Sequence, residues 1–309
     1  MKDKPIIIVP GEIHTIFYEI LFKSLKRKKF KSPLIIVTSK KIFIKKMKKF
    51  SYKKKIESIS DIKNQKSFRN DRIYIINIDH KINDYLSRCF KETFKVLKLK
   101  ITNKFINGPI NKSKFLNKKF LGITEYISKN FKIKKNAMLI FNRELSICPV
   151  TTHLPLKLVP KKINQKLIVE KILLVNNFYK SQLGIKPNIA ITGINPHCES
   201  VLKINEDVKI VTPAIKHAKK KNVKVSGPYS ADTIFQKKNR KKFDVIIGMY
   251  HDQVLTAFKT IYEFDAINIT LGLPFFRVSP DHGPNEKMVN MNLSNPLSLI
   301  RALEFLDNK

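Results

Sequence analysis

Three histidines follow short apolar runs that read as strands. Ser146–Val150 leads through Thr151-Thr152 to His153, and Asn188–Thr192 leads through Gly193-Ile194-Asn195-Pro196 to His197. Asp244–Met249 leads through Tyr250 to His251. In open α/β sheets, ligands bind beyond the carboxyl ends of parallel strands, so imidazoles at three such ends can converge on one cation. An all-nitrogen set suits zinc, cobalt or another borderline ion and leaves coordination positions for substrate oxygens. An ion held there lowers the pKa of a coordinated hydroxyl, which is useful chemistry for oxidising an alcohol. His14, His80, His217 and His282 lack that shared position and read as surface or hydrogen-bonded residues, not metal ligands.

The elements that must carry these histidines are legible as hydrophobic period. Ile6–Val9, Leu34–Val37, Ile73–Ile78, Met138–Phe141, Ser146–Val150, Asn188–Thr192, Asp244–Met249 and Ile267–Leu271 are short, mostly β-branched runs, the pattern of buried strands. Helical spacing links Ile82, Tyr85, Leu86, Cys89, Phe90, Phe94 and Leu97, and again Leu167, Ile168, Ile172, Val175 and Phe178, the second helix ending near Gly184. A last helix runs from Pro296 to Leu306, with proline suited to its first turn. Strand–helix alternation of this kind predicts an α/β fold with a mainly parallel sheet covered on both faces.

Composition excludes several alternatives. The 309 residues, 43% of them hydrophobic, suffice for one large domain or two modest ones. The formal net charge of +37 raises the question of nucleic acid or an anionic membrane surface. The charge is mostly lysine, however, in runs such as Lys53-Lys54-Lys55 and Lys219-Lys220-Lys221 that sit between apolar segments. Base-edge readers favour arginine, which is scarce here, so the lysines read as a solvated surface. Cys89, Cys148 and Cys198 are far apart and odd in number, against a disulfide framework. The apolar run at Ile6–Val9 is too short for a signal peptide, and no run of about eighteen apolar residues exists to span a membrane. The expectation is a cytoplasmic protein. No two of the nine glycines are spaced as Gly-x-Gly, which removes the Rossmann fingerprint and the Walker loop together.

Eight segments in order carry a family resemblance: Gly108-Pro109-Ile110-Asn111-Lys112, Gly122-Ile123-Thr124-Glu125, Thr151–Leu156, Gly193–His197, Gly227-Pro228 with Ala231-Asp232-Thr233, Tyr250–Gln253, Gly272-Leu273-Pro274-Phe275, and Arg277 with Ser279 and Asp281-His282-Gly283. Over nearly its whole length the chain resembles the 4-hydroxythreonine-4-phosphate dehydrogenase family of the vitamin B6 pathway. The resemblance implies a two-lobed α/β/α fold with mainly parallel sheets, like the isocitrate and isopropylmalate dehydrogenases. A first lobe would span 1–125 plus 285–309 and a second lobe 126–284. It implies a divalent metal (zinc, cobalt or magnesium) on His153, His197 and His251, and a homodimer with the active site at the subunit interface. It also implies contacts from Thr124, Lys259, Asn268 and Arg277 to a small phosphorylated hydroxy-amino acid. NAD or NADP would be the cofactor, with His282-Gly283 and Asn295-Pro296 resembling the adenosine-binding stretch of the related dehydrogenases. Lysine and arginine donors make physical sense for phosphate and carboxylate where no glycine-rich loop exists. Lys112 and Asp232, both inside motifs, are the candidates for the general base.

The chain also departs from the family pattern. Ile123 stands where the family has histidine, which motivates an alternative substrate such as a phospho-threonate or phospho-erythronate; the other alternative is a non-catalytic basic nucleic-acid-binding protein on the same scaffold, against which the intact histidine set argues. The opening Gly11–Glu19 has lost most of the family's glycines and prolines, and Cys198-Glu199-Ser200 replaces Ala-Gly-Glu. Pro284-Asn285-Glu286 replaces the usual small and acidic residues.

Overall fold

Runs such as Ile6-Ile7-Ile8-Val9 and Leu34-Ile35-Ile36-Val37-Thr38 are buried along their whole length, the mark of strands covered on both faces. In the computed structural model, which describes residues 4–65, 67–82, 84–110, 115, 120, 122–199, 205–281, 283, 285–289 and 291–309, they belong to two compact units. One comprises residues 1–123 with 274–309, the other residues 124–273.

The strands are β1 (Ile6–Val9), β2 (Leu34–Thr38), β3 (Lys55–Ser58), β4 (Arg72–Asn77), β5 (Lys104–Asn107), β6 (Ala137–Phe141), β7 (Ser146–Pro149), β8 (Ile189–Thr192), β9 (Val225–Tyr229), β10 (Val245–Gly248), β11 (Ile267–Leu271) and β12 (Phe276–Pro280). The first unit arranges its strands in the order β3-β4-β2-β1-β5-β12, and these pairings are parallel. The second follows β11-β6-β7-β10-β8-β9, parallel except that β6 runs antiparallel to both β11 and β7. The expected mainly parallel α/β architecture is what the chain adopts.

Residues 274–284, assigned to the second lobe on sequence, lie with the first because β12 pairs with β5, through Phe276↔Lys104 and Arg277↔Phe105. The sequence reading also missed β3, β5, β9 and β12. Two of these carry buried charged residues: Lys104 and Arg277 are 3% and 2% exposed, so they break the apolar pattern that marks the other strands.

In the first unit, the helices Phe17–Arg27, Lys40–Lys49 and Tyr85–Lys98 bury Phe17, Phe22, Phe43 and Phe90 completely. Strand order reverses between β1 and β5, since β2 lies to one side of β1 and β5 to the other. Two glycines let the loops beyond those strands pass backbone to backbone. A Cβ on Gly108 would lie 2.0 Å from the Pro10 carbonyl oxygen, and one on Gly11, whose φ is +86°, would lie 2.1 Å from that of Pro109. Glu12 N–H closes the contact by donating to the Pro109 carbonyl at 3.1 Å.

In the second unit, the helix His251–Tyr262 presents Val254, Leu255 and Phe258 to Ile147, Ile246 and Ala190 on β7, β10 and β8. Burying each large apolar side chain contributes about 1.5–3 kcal/mol, which seats the start of this helix against the ends of those strands.

Candidate active site

The three histidine loops leave three neighbouring strands. β10 lies between β7 and β8, with Gly248 level with Pro149 and Ile247 level with both Cys148 and Ile191. His153, His251 and His197 therefore sit beyond the same end of one sheet, as expected for ligands at strand carboxyl ends. The β7 loop is tied to the β10 loop by Val150 N–H to Gly248 O at 2.7 Å and Thr151 N–H to Met249 O at 3.2 Å. The Thr151 hydroxyl also donates to Met249 O at 2.8 Å.

The outcome is an imidazole pair. The rings of His153 and His251 are 5.9 Å apart between centroids and inclined by 39°. His251 Nδ1 lies 2.7 Å from Asp252 Oδ1. A carboxylate can only accept, so Nδ1 is the donor, and the neutral ring in this tautomer has its lone pair on Nε2. A carboxylate behind the imidazole also fixes the ring's orientation, as it does for metal-ligating histidines.

His197 takes a different place. It occupies the left-handed region at φ 56° and ψ 12°, followed by Cys198 at φ 61°. Holding a non-glycine residue there costs about 1–3 kcal/mol and persists only where the surroundings enforce it. Its Nδ1 is 4.0 Å from Asp232 Oδ2, and both side chains are exposed. Asp232 in turn accepts a hydrogen bond from the Ser230 hydroxyl at 2.5 Å. That bond, with the nearby His197, holds its carboxyl below the usual aspartate range. Among the described residues of one chain, no group of three or more His, Cys, Asp or Glu side chains is placed to hold a metal ion.

The remaining candidates divide between the two units. In the second, Asn268 on β11 has a buried Oδ1 without a hydrogen-bond partner, an acceptor that a ligand can satisfy. Lys259 is exposed on the helix His251–Tyr262, and Thr124 is half-buried in the first turn of the helix Ile123–Asn130. In the first unit, Arg277 on β12 donates from Nε to Asn107 Oδ1 at 2.7 Å. Asn107 anchors its own amide on the Gly108 carbonyl at 3.0 Å. Gly283 is exposed. The chain beyond it is anchored at Ser294, whose N–H donates to the buried Glu19 carboxylate at 2.7 Å, while Lys23 Nζ donates to the Asn292 and Ser294 carbonyls. Lys112 and His282 lie outside the described residues.

Three residues that hold the candidates or their loops, Asn107 in the first unit and Asp207 and Gln253 in the second, escaped the sequence reading. Gln253 lies inside the Tyr250–Gln253 motif, and Asn107 directly precedes Gly108-Pro109, so motif adjacency was the available signal. Asp207 had none. Its carboxylate accepts from Ile194 N–H at 2.7 Å and Asn195 N–H at 3.0 Å, a contact between segments that only folding brings together. The cysteines are all free thiols, as the sequence implied.

The family model described as pyridoxal phosphate biosynthetic protein PdxA matches residues 29–306. The chain belongs to the PdxA family. A 4-hydroxythreonine-4-phosphate dehydrogenase from Sulfurihydrogenibium sp. is 34% identical over 96% of this chain and 95% of its own length. One from Wigglesworthia glossinidia brevipalpis is 33% identical over 98% and 95%. The crystal structure of 4-hydroxythreonine-4-phosphate dehydrogenase from Klebsiella pneumoniae aligns with a TM-score of 0.82 and 25% identity, covering 98% of this chain and 97% of that one. The fold is thus that of the isocitrate dehydrogenase-like PdxA proteins, and the chain is an oxidoreductase of pyridoxal phosphate biosynthesis. Family membership implies an NAD-type cofactor, a divalent metal and a small phosphorylated hydroxy-amino acid as substrate. No helix among the described residues is long and apolar enough to cross a membrane.

Proposed function

We propose that the chain oxidises the 3-hydroxyl of 4-phosphooxy-L-threonine with NAD, giving 2-amino-3-oxo-4-phosphooxybutanoate. Hydride leaves C3 for the nicotinamide and the hydroxyl proton goes to a base. The β-keto acid then loses carbon dioxide, C2 takes up a proton, and 3-amino-2-oxopropyl phosphate results. The observation that carries this reading is the imidazole pair of His153 and His251 at the strand ends, with Asp252 behind the second ring.

The donor set fits a divalent ion in part within one chain: two imidazoles side by side, one of them with its lone pair fixed outward. We assign the third position to His197, the set closing when two copies assemble as a homodimer with the active site at the interface. Exposure of His153 and His197 in the single chain agrees with that arrangement. A divalent ion held there supplies Lewis-acid polarisation of the substrate hydroxyl and of the keto group during decarboxylation.

The chain's own groups do the rest. Arg277, its guanidinium plane set by Asn107, offers a charge-assisted fork to phosphate or carboxylate. Lys259 provides a longer, adjustable cation. Asn268 Oδ1 and the Thr124 hydroxyl are suited to the substrate's amino and hydroxyl groups. Asp232, beside His197 and bonded to Ser230, is placed to orient that imidazole, which leaves Lys112 as the stronger candidate for proton transfer. His282 and Gly283 are assigned to the dinucleotide.

The test is NADH formation with carbon dioxide release by the metal-loaded protein, on 4-phosphooxy-L-threonine, phospho-threonate and phospho-erythronate, with NADP in parallel. Turnover on the amino acid with NAD is the expected result. Turnover only on the acids lacking the amine would overturn the substrate assignment.

A further inference from the structure

Gln253 lies in the first turn of the helix His251–Tyr262, two residues past His251. Its Oε1 accepts from Met249 N–H at 2.7 Å and from the Thr192 hydroxyl at 2.8 Å. Its Nε2 donates to the Gly193 carbonyl at 2.8 Å. The amide's orientation follows from its partners, because Met249 N–H can only donate and Gly193 O can only accept. One side chain therefore joins the end of β10, which carries His251, to the end of β8, which carries His197.

The backbone is shaped around this amide. A Cβ on Gly248 would approach Gln253 Oε1 at 3.0 Å and Val254 Cγ1 at 2.3 Å, so that position tolerates no side chain while the bridge stands. Met249 is a shared node: its N–H is taken by Gln253 and its carbonyl by Thr151 in the His153 loop. On the far side, Asp207, 1% exposed, holds the N–H groups of Ile194 and Asn195. Gly193, Ile194 and Asn195 are thus pinned in succession ahead of the left-handed His197. All three histidine loops are referenced to one amide, directly or through Met249.

We propose that Gln253 is a positioning residue for metal capture, bracing both the His251 loop of its own chain's imidazole pair and the His197 loop that the same chain offers to the pair of a second copy, and through them the affinity of the sites. This rests on the reading that the strand-end histidines hold a divalent ion. Outer-sphere partners of metal ligands are worth about 10–100-fold in metal affinity, and Gln253 acts on two ligand loops at once.

The informative variant is Gln253→Glu. It keeps an oxygen for Met249 N–H and the Thr192 hydroxyl but sets a carboxylate oxygen against the Gly193 carbonyl, removing only the bond to the first residue of the His197 loop. Gln253→Met has similar volume and loses all three bonds, and His251→Ala serves as the ligand control. Cobalt(II) titration by calorimetry and visible absorption on the full-length protein reads affinity and coordination, and thermal unfolding without metal reads stability. We expect cobalt binding to weaken about 10–100-fold in Gln253→Glu with an altered spectrum and a melting temperature within a few degrees of the parent. Gln253→Met should bind as weakly or more so. Parent-like cobalt affinity and spectrum in both variants, with binding lost in His251→Ala, would overturn the role of Gln253 and leave the metal site standing. No cobalt binding by the parent protein would overturn both.

Discussion

The two units present functional side chains in opposite ways. In the second unit the histidines sit on loops beyond strand ends, His153 and His197 exposed, oriented by neighbouring carboxylates and backbone-directed hydrogen bonds. In the first unit Arg277 is buried within a strand, and its partner Asn107 stands at the end of the adjacent strand. The difference follows from the chemistry required. Neutral imidazoles need their lone pairs open to an incoming ion, so they cost little to expose and are held from behind. A guanidinium is always charged, and burying it demands fixed acceptors, which makes it a rigid recognition element. Precision comes from loop bracing in one unit and from sheet register in the other.

The comparison can be broken experimentally, beginning with its largest expected effect. His251→Ala should lower NAD-dependent turnover at least about a thousandfold, equivalent to about 4 kcal/mol. Metal analysis would show the accompanying loss of bound ion, while thermal stability without metal stays close to the parent because the residue is half-exposed. Gly108→Ala tests the first unit's rigidity. Its Cβ would fall 2.0 Å from Pro10 O and 2.6 Å from the Phe17 ring, so we expect about 3 kcal/mol of destabilisation by denaturant unfolding. Gly184→Ala in the second unit, at φ +69° with nothing within 4 Å, should cost only about 1 kcal/mol.

Smaller effects sharpen the picture. Arg277→Lys keeps the charge and loses the planar guanidinium with its Nε bond to Asn107, so kcat/KM should fall about 10–100-fold. Asn107→Ala should raise KM with a smaller change in kcat; equal kinetics to the parent would remove Asn107 from substrate recognition. The smallest expected signal is a pair of silent thiols. Cys89 in the first unit and Cys148 in the second are buried, and desolvation pushes both up to about 12. Pulsed alkylation at pH 8 followed by mass spectrometry should leave both unmodified until denaturant opens the chain. Labelling of one before the other would show that the units unfold separately.

Of the twelve strands among the described residues, eight were visible as β-branched runs, with boundaries within two residues, because burial on both faces leaves an uninterrupted apolar signature. Of the hidden ones, β3 has no buried residue, and the others had that signature interrupted, by Lys104 and Asn107 in β5, by Arg277 in β12 and by Gly227-Pro228 in β9. The histidines were legible since each follows a recognisable strand at short range. Asp207 was not, because its partners Ile194 and Asn195 are chosen by how a helix start docks on a loop.

Local chain chemistry is enough to establish the strand–helix alternation and to put an imidazole after each of three strands, since period and residue type act over a few neighbours. It cannot say which imidazoles become neighbours. That depends on β10 lying between β7 and β8, an order set by the packing of segments about a hundred residues apart. The same long-range packing brings Asn107 to Arg277 and wraps three loops around the amide of Gln253. Side-chain hydrogen bonds of this kind form only after the hydrophobic core has selected the strand order.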